Sequence, residues 1–286
     1  MKDQVRVNRF KDKIFNYFGI LCTLFGVAML GIFIINILIE GLPRLNWQFL
    51  TSLPSRSAAR SGILIPLVGS IFIVVLTALI AVPLGVASAI YLEEYKNNSR
   101  LASFIEINIS NLAGVPSIIY GLLALEIFVH MFGLGKSILS GSLTLGLLIL
   151  PIIIVASREA LKAVPGSVRE ASYALGATRW QTIWYQTLPA AFGGILTGVI
   201  LGISRAIGEA APLIVLGALI YITTLPTSPM DNFSVLPIQI FNWLSRPQKE
   251  FTVNATAAII VLLAITFLLN GLAIYFRNKW EKKIKW

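Results

Sequence analysis

Apolar residues gather into six long runs separated by short polar stretches, at roughly 17-39, 63-91, 112-132, 138-157, 188-222 and 254-276. A hydrocarbon core of ~30 Å takes about 20 residues of helix to cross. The pattern therefore predicts an all-α, polytopic membrane protein with about six transmembrane helices. The first run, Tyr17 to Ile39, exceeds the ~7–15 residues of a signal-peptide core, and no small-residue cleavage site follows it cleanly, so it reads as a retained helix.

A different rhythm marks the stretch between the fourth and fifth runs, Arg158 to Thr187, where charged and apolar positions alternate at helical spacing. Pro165 and Gly166 mark a break. Ser167, followed three residues later by Glu170, predicts a capping box that opens a short helix, and Gly176 predicts the turn that ends it. A second short helix, roughly Ala177 to Gln186, then leads back to Leu188 and Pro189. The chain divides into a basic tail (1-16), a first span with its outer loop (17-62), a transmembrane domain (63-276) containing the loop 158-187, and a second basic tail (277-286).

Composition narrows the class. Hydrophobic residues make up 56% of the chain and charged residues 13%, with a mean hydropathy of +0.81. Soluble domains carry about 25% charged residues. The net charge of +10 does not indicate nucleic acid, because the basic residues lie between apolar runs instead of forming one patch. Their distribution predicts topology instead. The amino-terminal tail, the second loop (Lys96, Arg100), the fourth loop (Arg158, Lys162, Arg169, Arg179) and the carboxyl tail together hold sixteen Lys and Arg. The alternate loops hold six, namely Arg44, Arg56, Arg60, Lys136, Arg246 and Lys249. The positive-inside rule then puts both termini in the cytoplasm.

Several chemistries find no support. Cys22 is the single cysteine and His130 the single histidine, so no disulfide within the chain and no Cys/His metal cluster is expected. Gly135-Lys136-Ser137 resembles the end of a P-loop, yet His130 stands where its first glycine belongs, and the segment lies between two apolar runs on the predicted outer face. ATP hydrolysis must then belong to another chain.

Within the runs, three features bear on function. Pro66, Pro83, Pro116, Pro151 and Pro212 fall in or near spans, where each removes a backbone donor and can kink a helix. Gly194, Gly198, Gly202, Ala206 and Ala210 recur every fourth residue, a small-residue ridge suited to close helix contact within the chain or with a partner. Arg205 and Glu209, four apart in the fifth run, predict an intramembrane pair on one helix face. Arg205 then either meets an oxyanion with its planar fork once Glu209 swings away, or stays in a closed ion pair that joins helices. Gly114-Val115-Pro116-Ser117 predicts an unwound helix start whose free N–H groups face an anion, or a simple proline bend.

Glu170-Ala171-Ser172, Gly176 and Leu188-Pro189 resemble the EAA loop of binding-protein-dependent ABC importer permeases. Ser172 and Gln186 depart from that pattern, which usually has alanine and isoleucine there. Further stretches are similar to the A-type permease family of phosphate-specific (Pst) transporters: Tyr91-Leu92-Glu93-Glu94-Tyr95, the run Asn111 to Leu122, Ser204-Arg205-Ala206-Ile207-Gly208-Glu209, and Phe241 to Pro247. The resemblance implies a type I ABC importer (MetI-like) permease fold and transport of inorganic phosphate. It implies a coupling helix presenting Glu170, Ala171 and Gly176 to an ATPase dimer, which binds the ATP and Mg; no cofactor is implied for this chain. It also implies pairing with a C-type phosphate permease and seating of an external phosphate-binding protein on the loop 224-252. Residues before 60 carry little of it. Sulfate or molybdate is the nearest alternative cargo, and a secondary transporter the nearest alternative mechanism.

Overall fold

The computed structural model describes residues 2–95, 100–217 and 221–281; Lys96 and the last five residues of the basic carboxyl tail lie outside them. The helices are α1 (Lys2–Gly41), α2 (Trp47–Thr51), α3 (Leu64–Ile90), α4 (Arg100–Leu112), α5 (Ser117–Ala124), α6 (Ile138–Lys162), α7 (Gly166–Ala174), α8 (Arg179–Thr182), α9 (Leu188–Gly208), α10 (Ala211–Val215), α11 (Leu236–Leu244) and α12 (Lys249–Glu281). Among the described residues the β pairing is a single bridge, Ser137 with Asn232. Five helices are long and apolar enough to cross a membrane, and α4 with α5 makes a sixth candidate, bent by 106° at its break. The chain is thus an all-α multi-pass membrane protein.

At the centre, α6 packs between α3 and α9, and α12 closes over α9. Lipid tails are as apolar as leucine, so burial of leucine does not drive these contacts; close van der Waals approach and interhelical hydrogen bonds do. The glycine ridge supplies the approach. A Cβ added at Gly194 would stand 2.5 Å from the Ala160 Cβ, and one at Gly198 2.5 Å from the Ala156 Cβ. The ridge therefore packs within the chain, against α6, and stops at Ala206, because Ala210 lies beyond the helix end. Thr77 donates to the Ser142 carbonyl at 3.3 Å and Ser142 to the Ile73 carbonyl at 3.2 Å, joining α3 to α6. Ser204 bonds Asn270, joining α9 to α12.

The outer layer differs. Helix α1 runs unbroken from Lys2, so the basic tail and first span are one helix; it touches α12 near its carboxyl end and leaves apolar side chains exposed on every side. An apolar surface all round a helix suits lipid or another membrane helix. Above it, Phe49, Trp243, Phe251 and Leu236 form a separate buried cluster among α2, α11 and α12.

Two predicted spans are corrected. The run 112-132 starts as a bend, since Gly114 and Val115 lie between helices and Pro116 is the cap of α5. The helix before it, α4, lies where a loop is expected; its apolar and polar faces average out along the sequence, which hides an amphipathic helix from a hydropathy count. The run 188-222 ends as helix at Gly208 and restarts as α10. Of the five prolines, Pro83 and Pro151 sit inside helices, while Pro66, Pro116 and Pro212 stand at helix starts, where proline costs no hydrogen bond.

Candidate functional site

At the carboxyl end of α3 the backbone widens into a π-helical turn, Tyr91–Tyr95. That turn aims Glu93 and Glu94 at two arginines. Arg169 of α7 donates Nη2 to Glu94 Oε1 at 2.7 Å and Nε to both carboxylate oxygens at 3.1 and 3.3 Å. It also donates to the carbonyls of Val164 (2.8 Å) and Leu161 (2.9 Å) at the end of α6. Only 5% of the Glu94 side chain is exposed. Arg158 of α6 meets Glu93 at 3.5 Å and Glu106 of α4 at 3.0 Å. Two arginines thus tie α3, α4, α6 and the short helix α7 into one joint.

Helix α7 itself opens differently from the sequence expectation. Pro165 occupies the cap and the helix begins at Gly166, so Ser167 and Glu170 already lie inside it and form no capping box. The box forms one element later: Thr178 Oγ1 accepts from the Gln181 N–H at 3.3 Å while Gln181 Oε1 accepts from the Thr178 N–H at 2.8 Å, opening α8. Gly176 ends α7 as expected. Its φ is +82°, the left-handed region. The Ala177 N–H bonds the Ser172 carbonyl and the Gly176 N–H the Tyr173 carbonyl, the paired bonds of a Schellman turn. From α8 the chain passes through a π-helical turn, Ile183–Thr187, into α9.

This turn folds α7 and α8 around a groove of about 750 Å³, lined by Ala171, Ser172, Leu175, Gly176 and Tyr185 among others. Ala171 and Gly176 are exposed on it, while Glu170, next to Ala171 in the chain, is exposed but does not line it. Large apolar groups are exposed too: Leu175 is 90% exposed, Tyr185 74%, and Trp180 and Trp184 stack edge-on beside them. An exposed apolar patch on a rigidly anchored helix pair marks a contact surface.

The second cluster lies where two broken helices meet. A Cβ added at Gly121 of α5 would stand 2.6 Å from the Pro212 carbonyl oxygen of α10, so the α5 backbone rests on α10. The α4–α5 bend and the α9–α10 break are thereby neighbours. Tyr120 donates to the Leu112 carbonyl at 2.7 Å across the bend. Gly114 and Ser117 lie at the bend itself, Gly114 exposed and Ser117 half-buried. Arg205 and Glu209 do not share a helix face: α9 ends at Gly208, and Glu209 caps it with extended backbone. Their separation is 4.0 Å, the outer limit of an ion pair, with 40% of the Arg205 side chain exposed. A charge at membrane depth is costly. Arg205 is thus held only loosely by Glu209.

Sequence reasoning missed the joint of Arg158, Arg169, Glu93, Glu94 and Glu106. The signal was present in Tyr91–Tyr95, where two adjacent carboxylates close an apolar run and face a loop rich in arginine.

A helical membrane bundle with broken helices at its centre and a rigid loop helix exposed at one end is the architecture of a transport permease. The chain matches the model of the binding-protein-dependent transport system inner membrane component family over residues 81–282, and it belongs to that family. It is 38% identical over 268 residues to a probable ABC transporter permease protein, YqgH, of Bacillus subtilis, covering 89% of this chain and 83% of that one. It is 34% identical over 272 residues to the phosphate transport system permease protein PstA of Yersinia pestis, covering 93% and 89%. In fold it is similar to a solved structure of the MetNI methionine ABC transporter, with a TM-score of 0.61 at 15% identity over 74% of this chain and 94% of that one. The chain is an ABC importer permease with the MetI-like fold.

Proposed function

We propose that this chain conducts inorganic phosphate into the cytoplasm, driven by a separate ATPase dimer that docks on α7 and α8. The observation that carries the coupling half is the groove at Gly176, lined by exposed Ala171, Leu175 and Tyr185, with exposed Glu170 and Trp180 next to its lining residues in the chain, on a helix clamped to the bundle. Its apolar surface and the neighbouring exposed Glu170 carboxylate suit a protein partner. ATP and Mg belong to that partner. The excess of Lys and Arg in the loops on the α7 side supports a cytoplasmic position for that side and for both termini.

The phosphate half rests on Arg205. Its guanidinium fork can take two oxygens of a tetrahedral oxyanion, and the α4–α5 bend places the Gly114–Ser117 backbone in the same junction. Relatives named as phosphate permeases favour phosphate over sulfate or molybdate. A C-type permease would complete the pathway, and an external phosphate-binding protein would deliver the cargo. The exposed groove favours this reading over a secondary transporter, which has no ATPase to seat.

The test is ATP-driven uptake of labelled phosphate into vesicles holding the assembled complex, with and without excess unlabelled sulfate. Uptake that resists sulfate and falls at least tenfold in Arg205→Gln supports the reading. Uptake abolished by sulfate moves the cargo to another oxyanion, and normal uptake by Arg205→Gln removes Arg205 from the pathway.

A further inference from the structure

Three consecutive residues of the turn Tyr91–Tyr95 hold three different helices. Glu93 meets Arg158 of α6 at 3.5 Å, and Glu94 takes the Arg169 fork of α7 at 2.7 Å. The guanidinium carbon of Arg179, the first residue of α8, lies 5.7 Å from the centre of the Tyr95 ring. Successive residues of a helix point about 100° apart. Three in a row therefore fan around the end of α3, and each finds an arginine of its own.

Arg158 carries the contact onward. Its Nη2 faces Glu93, and its Nη1 lies 3.0 Å from Glu106 Oε1 of α4. Its Nε is buried without a hydrogen-bond partner, a cost that a purely structural bridge has no reason to carry. Helix α4 packs on α6, and none of its residues from Ser103 to Leu112 is buried. From Glu106 the helix runs about 9 Å to its end at Leu112, whose carbonyl takes the Tyr120 hydroxyl across the bend. A displacement at Glu106 is thus delivered by a helix to the Gly114–Ser117 bend.

We infer that Arg158 and Glu106 are positioning residues for transport: through the Tyr91–Tyr95 turn they link α7 and α8 to α4, so that the bend moves when α7 and α8 move. The inference deepens the importer reading and rests on it. In that reading the ATPase docks on α7 and α8, whereas the bend and Arg205 form the other cluster, so a physical link between the two is required. Coupling of distant sites is carried by a network with two discrete arrangements. Arg158 supplies them, because its fork is either shared between two carboxylates, as here, or drawn to Glu93 with α4 released.

The experiment counts phosphate transported per ATP hydrolysed by the complete transporter in proteoliposomes, with its binding protein present. In Arg158→Gln and in Glu106→Gln that ratio falls about fivefold or more, the lower end of what coupling between two sites delivers, while the ATPase stays bound and goes on hydrolysing ATP. The double variant falls no further than either single, because both remove the same link. Arg158→Lys, a point charge without the fork, falls between. Spin labels at exposed Asn108 of α4 and Val155 of α6, in a Cys22→Ser background, report the motion. ATP changes their separation when Arg158 is present and leaves it unchanged in Arg158→Gln. A brace that only supports the fold would lower hydrolysis and uptake together and keep the ratio. That result, or additive losses in the double variant, overturns the inference and leaves the importer reading intact; a wild type that moves no phosphate under ATP overturns the reading itself.

Discussion

Replacing Glu94 by glutamine tests whether the joint past the end of α3 holds α7 in place. The carboxylate is almost wholly buried and accepts three contacts from Arg169. Removing one member of a buried ion pair costs about 3–5 kcal/mol, chiefly because the other charge stays behind without compensation. Arg169 retains the Leu161 and Val164 carbonyls, and glutamine keeps one acceptor oxygen. The lower end of that range applies, about 3 kcal/mol. The assay is reversible denaturant unfolding in mixed micelles, run as a cycle with Arg169→Gln and the double variant. Strong coupling is expected, with the double variant costing less than the sum of the singles. A loss below about 1 kcal/mol, the size of an exposed pair, would refute the reasoning and show that α7 is held by its backbone alone.

Three other outcomes follow from particular contacts. Gly198→Val should lower stability by about 1–3 kcal/mol through overpacking against Ala156, whereas Gly208→Ala, with nothing within 4 Å of the added Cβ, should show no loss in the same unfolding assay. Gly176→Val forces a β-branched residue into the left-handed region at a cost of about 1–2 kcal/mol; altered Trp180 and Trp184 fluorescence and weaker recovery of the ATPase check it. In the loop before α11, N–H bonds from Thr227 and then Ser228 hold the Asp231 carboxyl below its ordinary range. That contribution is complete above the ordinary carboxylate pKa and is lost as pH falls through the lowered one. Limited proteolysis of this loop should therefore stay constant from neutral pH down to the ordinary carboxylate range and then rise progressively as pH falls from there through the lowered pKa, and Asp231→Asn should be cut more readily at neutral pH.

How much was legible in the sequence depends on how local the physics is. Length and apolarity of a run are local, so the spans of α3, α6, α9 and α12 stood in the sequence, as did the loop helices and the turn at Gly176, whose left-handed φ only glycine meets without strain. The capping box was misplaced because Ser167 and Thr178 carry the same local signal, and only the chain's path past Pro165 decides which hydroxyl stands outside a helix. Helix α4 was hidden because its two faces cancel in a linear average. The pairing of Arg205 with Glu209 was legible as four-residue spacing, but not the helix end at Gly208 that loosens it.

What the sequence by itself determined is the class of this protein: a basic, apolar chain of about six spans whose loop 158-187 is an exposed helix pair. Only the tertiary structure decided which residues act together. Glu94 meets Arg169 across 75 positions, Glu106 meets Arg158 across a bend, and Gly121 rests on Pro212. Those choices belong to helix packing, where a glycine admits a neighbour's backbone and a buried charge must find its partner, and neither condition is written at any single position of the chain.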